Sequence, residues 1–176
     1  MKIIIDASVL MLYLHPESSG PLDPATGASF HFSAQRVEDY IGRALKGGHL
    51  VVIPTPALAE CLAQHDAAAA AALVARLERK SGIEIRDFCT LSAIEVGRHG
   101  KKDGYLVVDS TATKKYQRAL VKHDLQILAI ACVVGADEVL TDDKSLKRWV
   151  AAAGMKAKGV GDLQIPPQHA QMRLDS

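Results

Sequence analysis

Four places in the chain hold acidic residues where a carboxylate can do chemistry rather than keep a surface wet. Asp6 directly follows the apolar run Lys2-Ile3-Ile4-Ile5, with Ser8 two residues on. Glu60 lies in the first turns of the helix expected after Ile53-Pro54-Thr55-Pro56. Asp124 is the only acid in a stretch that runs on as Leu125-Gln126-Ile127-Leu128-Ala129-Ile130-Ala131. Asp142 and Asp143 follow Val139-Leu140-Thr141. Taken singly, each has an ordinary explanation. Asp6 reads as a turn or N-cap residue, Glu60 as a solvated helix acid, Asp124 as a helix acid facing water, and Asp142 and Asp143 as caps for the helix at Lys144. Their joint placement carries the argument.

Four carboxylates gathered at one point repel and cannot all stay ionised without cations. Hard oxygen ligands of this kind suit Mg or Mn, which keep several of their waters. Such a site can activate water and neutralise charge building on a phosphodiester. Metal-assisted phosphoryl chemistry is therefore expected, while the substrate is not named by these residues.

The surrounding pattern supplies the means of bringing the acids together. Lys2-Ile3-Ile4-Ile5 and Leu50-Val51-Val52-Ile53 are apolar on both faces, as buried parallel strands are. Further strands are expected at 83–85 and 138–140, with a possible extra strand or hairpin at 105–108 and an edge strand at 156–160. Helices are expected at 9–14, 36–45 (stopping at Gly47-Gly48), from Thr55 as N-cap and Pro56 as first helical residue, at 67–80, 90–98, 114–134 and 144–153. The capping-box spacing of Thr90 or Ser92 with Glu95 marks one of these starts. Strands alternating with helices give an open, mostly parallel α/β sheet. In such sheets ligands bind at the carboxyl ends of the strands, where strand ends and the following helix starts meet, so the acids can converge without special geometry.

A chain of 176 residues fits one domain. The boundaries expected are 1–160 for the domain, with insertions near 15–33 and 100–113, and 161–176 for a mobile C-terminal tail carrying Pro166-Pro167. Apolar residues make up 48% and aromatics 5%, the Ala/Val/Leu/Ile mixture of helices packed on a buried sheet. A net charge of +1 gives no global field for a polyanion. Local clustering must supply any such affinity, and between Arg98 and Lys122 seven Lys/Arg face two acids. Lys114, Lys115, Arg118 and Lys122 recur at roughly helical spacing before Asp124. An ordinary basic helix face explains them, but their place favours a phosphate-tracking surface. Cys61, Cys89 and Cys132 are scattered and form no metal pattern, as in a reducing cytoplasm. Neither a secretory leader nor a membrane span is expected, and the reading is soluble and cytoplasmic.

With these residues in view, the chain resembles the PIN-domain family, including the VapC toxins of toxin–antitoxin pairs. The matching segments are Ile3-Ile4-Ile5-Asp6-Ala7-Ser8-Val9-Leu10, Ile53-Pro54-Thr55-Pro56-Ala57-Leu58-Ala59-Glu60, His123-Asp124-Leu125 through Ala131, and Val139-Leu140-Thr141-Asp142-Asp143. Each is a hydrophobic fragment bearing one acid at the family's position. The resemblance implies a three-layer α/β/α sandwich around a mostly parallel sheet of four to five strands. It implies that Asp6, Glu60, Asp124 and Asp143 bind one or two Mg or Mn ions, with Ser8, Thr141 and Asp142 in support. The family's Thr-x-Asp pattern favours Asp143 over Asp142. It further implies an endoribonuclease acting on RNA, a partner antitoxin, and a homodimer. The two insertions depart from the compact toxin pattern.

Other readings are a PIN-like RNA- or protein-binding module without turnover, and an RNA-processing nuclease outside any toxin system. A phosphatase or receiver domain needs Asp-x-Asp where the chain has Asp6-Ala7-Ser8. A dinucleotide fold needs a GxGxxG after the first strand, which is lacking. Cys61, beside Glu60, has the setting of a raised pKa and reads as packing rather than as a nucleophile. The seven histidines show no metal-ligand spacing, and His123 reads as a surface residue.

Overall fold

Ile3, Ile4 and Ile5 point alternately to opposite faces of a strand, yet all three are buried, so both faces of the sheet must be covered. The computed structural model describes the backbone of residues 1–102 and 114–167 and the side chains of residues 1–99 and 123–167. Its elements run β1 (Lys2–Ile5), α1 (Ala7–Leu14), α2 (Ser33–Lys46), β2 (Leu50–Pro54), α3 (Thr55–Leu62), α4 (Ala67–Glu78), β3 (Ile83–Arg86), α5 (Thr90–Lys102), α6 (Lys114–Val134), β4 (Glu138–Leu140), α7 (Lys144–Ala152) and β5 (Lys156–Lys158). Among the described residues the sheet has five strands in the order β3-β2-β1-β4-β5, every pairing parallel. The expected layered α/β architecture is what forms. The possible strand at 105–108, and most of the 100–113 insertion, lie outside the described residues. No helix among the described residues is long and apolar enough to cross a membrane.

The chain leaves β1 toward β2 on one side, whereas β4 and β5 lie on the other. The strand order therefore reverses between β1 and β4. Open parallel sheets bind their ligands in the crevice at that point, outside the carboxyl ends of the strands. Register places Ile5 opposite Leu140, so Asp6 and Thr141 emerge side by side there. The ladder continues one step past the strands, with Asp6 N–H donating to Leu140 O (3.0 Å) and Thr141 N–H to Lys158 O (2.8 Å).

Several local expectations shift for identifiable reasons. Helix α1 starts at Ala7 rather than at residue 9 because Asp6 itself caps it, accepting from Ala7 N–H at 2.7 Å. Thr55 is not an N-cap. Pro54 occupies that position without a side-chain bond, and the Thr55 hydroxyl accepts instead from Phe88 N–H (3.2 Å), tying the loop after β3 to the start of α3. Helix α2 does stop at the glycine pair, with Gly48 in the left-handed region (φ +71°) that favours a residue without Cβ. β5 ends at Lys158 rather than at 160, giving way to a 3-10 turn at Val160–Asp162.

The chain stays packed beyond residue 160, where the mobile tail was expected to begin. Val160 and Leu163 are buried. Arg36, 8% exposed, donates through Nε to His31 O (3.0 Å) and through one terminal nitrogen to Gly161 O (3.3 Å) and Leu163 O (2.8 Å). The segment between α1 and α2 is irregular, as expected, with one antiparallel bridge between Leu22 and Ser29. It lays the Phe30 ring against Gly161, where a Cβ would fall 2.5 Å from the ring. Arg36 thus fastens the first insertion to the end of the domain. Replacing it strands carbonyls that its guanidinium serves, so Arg36→Met should lower unfolding free energy by about 2–4 kcal/mol. Urea denaturation measures this, and a loss below about 0.5 kcal/mol would contradict the latch.

Candidate active site

Asp6, Glu60, Asp124 and Asp143 line one open cleft of about 320 Å³, together with Ala7, Ser8, Met11 and His123. Each acid arrives by a different route. Asp6 sits at the end of β1 and caps α1. Glu60 projects from α3, which is set by β2 ending at Pro54. Asp124 comes from α6, which packs against both α3 and α7 and so stands between Glu60 and Asp143. Asp143 caps α7, accepting from Leu146 N–H at 2.7 Å.

Thr141 joins two of these acids. Fully buried, its hydroxyl donates to Asp6 Oδ2 (2.8 Å) and accepts from Asp143 N–H (3.1 Å). Ser8 donates to the same Oδ2 at 3.0 Å. Ser8 and Thr141 therefore both sit against the Asp6 carboxylate. Asp142 does not. Its carboxylate turns to the far side and accepts from Val160 N–H (3.1 and 3.3 Å), with the Lys147 ammonium 4.0 Å away. A Cβ at Gly159 would fall 2.4 Å from Asp142 Oδ1, so the glycine is what admits the chain there. Asp142 anchors the turn after β5 and is absent from the cleft.

Burial and mutual repulsion mark the cleft electrostatically. Asp6 is 6% exposed, and desolvation raises its pKa against the hydrogen bonds from Thr141, Ala7 and Ser8, with Glu60 adding repulsion. Asp124 is pushed up from 3.8 to about 7 by desolvation, then by the charges of Asp143, Asp6 and Glu60. Three acids distant in sequence thus act on one carboxylate. Burial, with Glu60 and Asp6 nearby, pushes the Cys61 thiol up to about 12. The thiol lies 3.5 Å from Ala7 O, so it packs α3 against α1 and supplies no nucleophile.

Among the described residues, no three His, Cys, Asp or Glu side chains are grouped closely enough to hold a metal ion as they stand. The carboxylates ring the cleft as repelling anions do. Their donor chemistry is nonetheless that of a hard divalent cation, and Glu60 is exposed, with room for its side chain to turn inward. Sequence reasoning missed Met11, a wall of the cleft; its three-residue spacing from Ser8 on one helix face was the available signal. His123, expected at the surface, is exposed and also lines the cleft. Lys114, Lys115, Arg118 and Lys122 lie on α6 ahead of Asp124, but their side chains lie outside the described residues.

No family model matches the chain, and no curated protein matches it in sequence. Among solved structures it is similar to VapBC2 from Rickettsia felis, bound to a DNA fragment from their promoter. The TM-score is 0.57 at 13% identity, over 90% of this chain and 98% of that one. At that identity the likeness shows the fold alone. The fold is a PIN-like α/β/α sandwich.

An acid whose pKa is higher folded than unfolded favours folding at low pH, and that advantage is lost as pH rises from about 4 through about 7. Metal-free protein should therefore melt at lower temperature at pH 8 than at pH 5. Asp124→Asn removes its share of the slope, leaving the variant about 2–5 °C more stable than wild type at pH 8 in EDTA. Equal melting-temperature slopes for the two proteins would show that Asp124 bears no such strain.

Proposed function

We propose that the protein is a metal-dependent endoribonuclease that hydrolyses phosphodiester bonds at the cleft of Asp6, Glu60, Asp124 and Asp143. One observation carries the reading: four carboxylates from four elements line a cleft at the point where the strand order reverses. Among them is an Asp124 raised to about 7 by burial and by the other three. A binding scaffold gains nothing from such repulsion, whereas a cation site uses it.

The ligands would be Asp6, Asp124, Asp143 and Glu60, holding Mg or Mn. Such a cation, when bound, supplies positive charge for the phosphodiester transition state and water acidic enough to attack. Thr141 and Ser8 fix the orientation of Asp6, so the carboxylate facing the reacting phosphate does not have to be ordered at the moment of reaction. Asp143 and Asp6, exposed and buried members of the set, keep their positions through the helices that they cap. His123, at the rim, is placed to meet substrate. Lys114, Lys115, Arg118 and Lys122 would track the RNA backbone along α6 toward the cleft.

The fold neighbour is part of a VapBC pair, which supports a toxin role with a cognate antitoxin as partner; a homodimer is proposed as the working form. An RNA-processing role outside any such pair uses the same chemistry.

The test is cleavage of a mixed single-stranded and structured RNA pool by purified protein, with Mg or Mn, with EDTA, and with Asp6→Asn as contamination control. Cleavage should require the cation. It should fall in Asp6→Asn, Asp124→Asn and Asp143→Asn by more than the roughly 10- to 100-fold that loss of an outer-shell partner costs. Glu60→Gln should fall as well. Full activity in the single Asn variants would overturn the site, and RNA binding without cation binding would favour a scaffold without turnover.

A further inference from the structure

Away from the acidic cleft, two histidines fifty residues apart in sequence meet at the far ends of α1 and α3. His15 is the C-cap of α1, and His65 lies in the turn between the C-cap of α3 at Ala63 and the N-cap of α4 at Asp66. Their Nε2 atoms are 3.0 Å apart, with ring centroids at 5.0 Å. Both backbones are pinned, His15 N–H donating to Met11 O (2.8 Å) and His65 N–H to Leu62 O (3.0 Å).

We propose that His15 and His65 form a transition-metal site of the Zn²⁺ class, separate from the acidic cleft, with water completing the shell. Two nitrogens bound at about 2.0–2.1 Å to one ion in adjacent positions lie roughly 2.9–3.4 Å apart, and the observed separation falls in that span. The Glu17 carboxylate lies 3.4 Å from His15 Nδ1. A carboxylate there takes the Nδ1 hydrogen and leaves Nε2 with its lone pair outward, the arrangement that orients metal-binding imidazoles. The field points the same way independently. Helices α1 and α3 both end near this place, and neither has a basic residue of its own in its last turn, so among the described residues their negative ends are offset there only by the Lys80 ammonium over the Tyr13 ring. Imidazole donors select Zn²⁺, Ni²⁺ or Cu²⁺ over the Mg or Mn that carboxylates take.

The consequence is mechanical. Met11 and Glu60, both lining the acidic cleft, lie four and five residues before His15 and His65. A metal across the pair would fasten the far ends of the two helices that carry Asp6 at a cap and Glu60 in the body.

The experiment is calorimetric titration of untagged protein with Zn²⁺, and separately Ni²⁺, in excess Mg²⁺ so that the carboxylates are occupied. Wild type should bind one equivalent and melt at higher temperature when it does. His15→Gln and His65→Gln should each weaken binding at least about 10-fold and lose the thermal gain, while melting like wild type without added metal. Asp6→Asn should bind Zn²⁺ like wild type. No binding by wild type would overturn the proposal and leave a pair joined by a hydrogen bond only. Binding unchanged in both histidine variants, or lost in Asp6→Asn, would overturn it by placing the ion elsewhere. RNA cleavage is not a readout here, so this result and the nuclease test succeed or fail separately.

Discussion

The Thr141 hydroxyl is the joint on which the cleft depends. It donates to Asp6 and accepts from the backbone of Asp143, so one buried oxygen sets the distance between the ends of β1 and β4. Parallel pairing alone brings those ends together, but it leaves the side chains beyond the last ladder bond free to rotate. A hydroxyl can do what neither a carbonyl nor an amide N–H can: serve one acid as donor and the next as acceptor at the same atom. Valine at this position would keep the shape and leave Asp6 with less support against its own burial.

The acids differ in the hydrogen bonds that the backbone can offer them. Asp6 and Asp143 cap helices and take N–H groups that the helices leave over. The ordinary explanation of each as a cap is therefore correct, and it does not compete with a role in the cleft; the cap is what aims the carboxylate. Asp124 lies in the body of α6, where backbone N–H groups are already used by the helix ladder. It faces the other acids half-buried, and it is the one driven to about 7. The cleft thus combines a buried Asp6 that hydrogen bonds partly offset with an Asp124 that is poorly accommodated until a cation or a proton arrives.

What could be read from the sequence was whatever depends on local pattern. Runs such as Ile3-Ile4-Ile5 show two-sided burial directly, and an acid immediately after such a run must appear at the sheet edge. Asp142 shows the limit. Beside Asp143 it has the same local text, and only the position of Val160, eighteen residues on, decides which of the two turns inward. Thr55 looked like a cap because its neighbours are cap-like, whereas Phe88 N–H claimed its hydroxyl. Arg36 gave no signal for a partner at residues 161 and 163. Histidines 15 and 65 had no spacing to recognise, since they are fifty residues apart and meet only where α1 packs on α3. The same reasoning accounts for a fold likeness at 13% identity. Buried strands ask only for apolar, β-branched residues, which many sequences satisfy.

Helices α1 and α3 are fastened at both ends of their contact. At the end near the cleft, the Cys61 thiol lies against Ala7 O in a packed interior. At the other, the His15 and His65 rings meet in a partly open setting. The first contact is a buried thiol against a carbonyl; the second joins two imidazoles through their Nε2 atoms. Glu60 lies on an exposed face of α3, one residue before Cys61 and five before His65. Of the four acids, Glu60 is therefore the one whose position depends on both contacts, and Asp6, held by Thr141, Ser8 and its own helix, depends least on them.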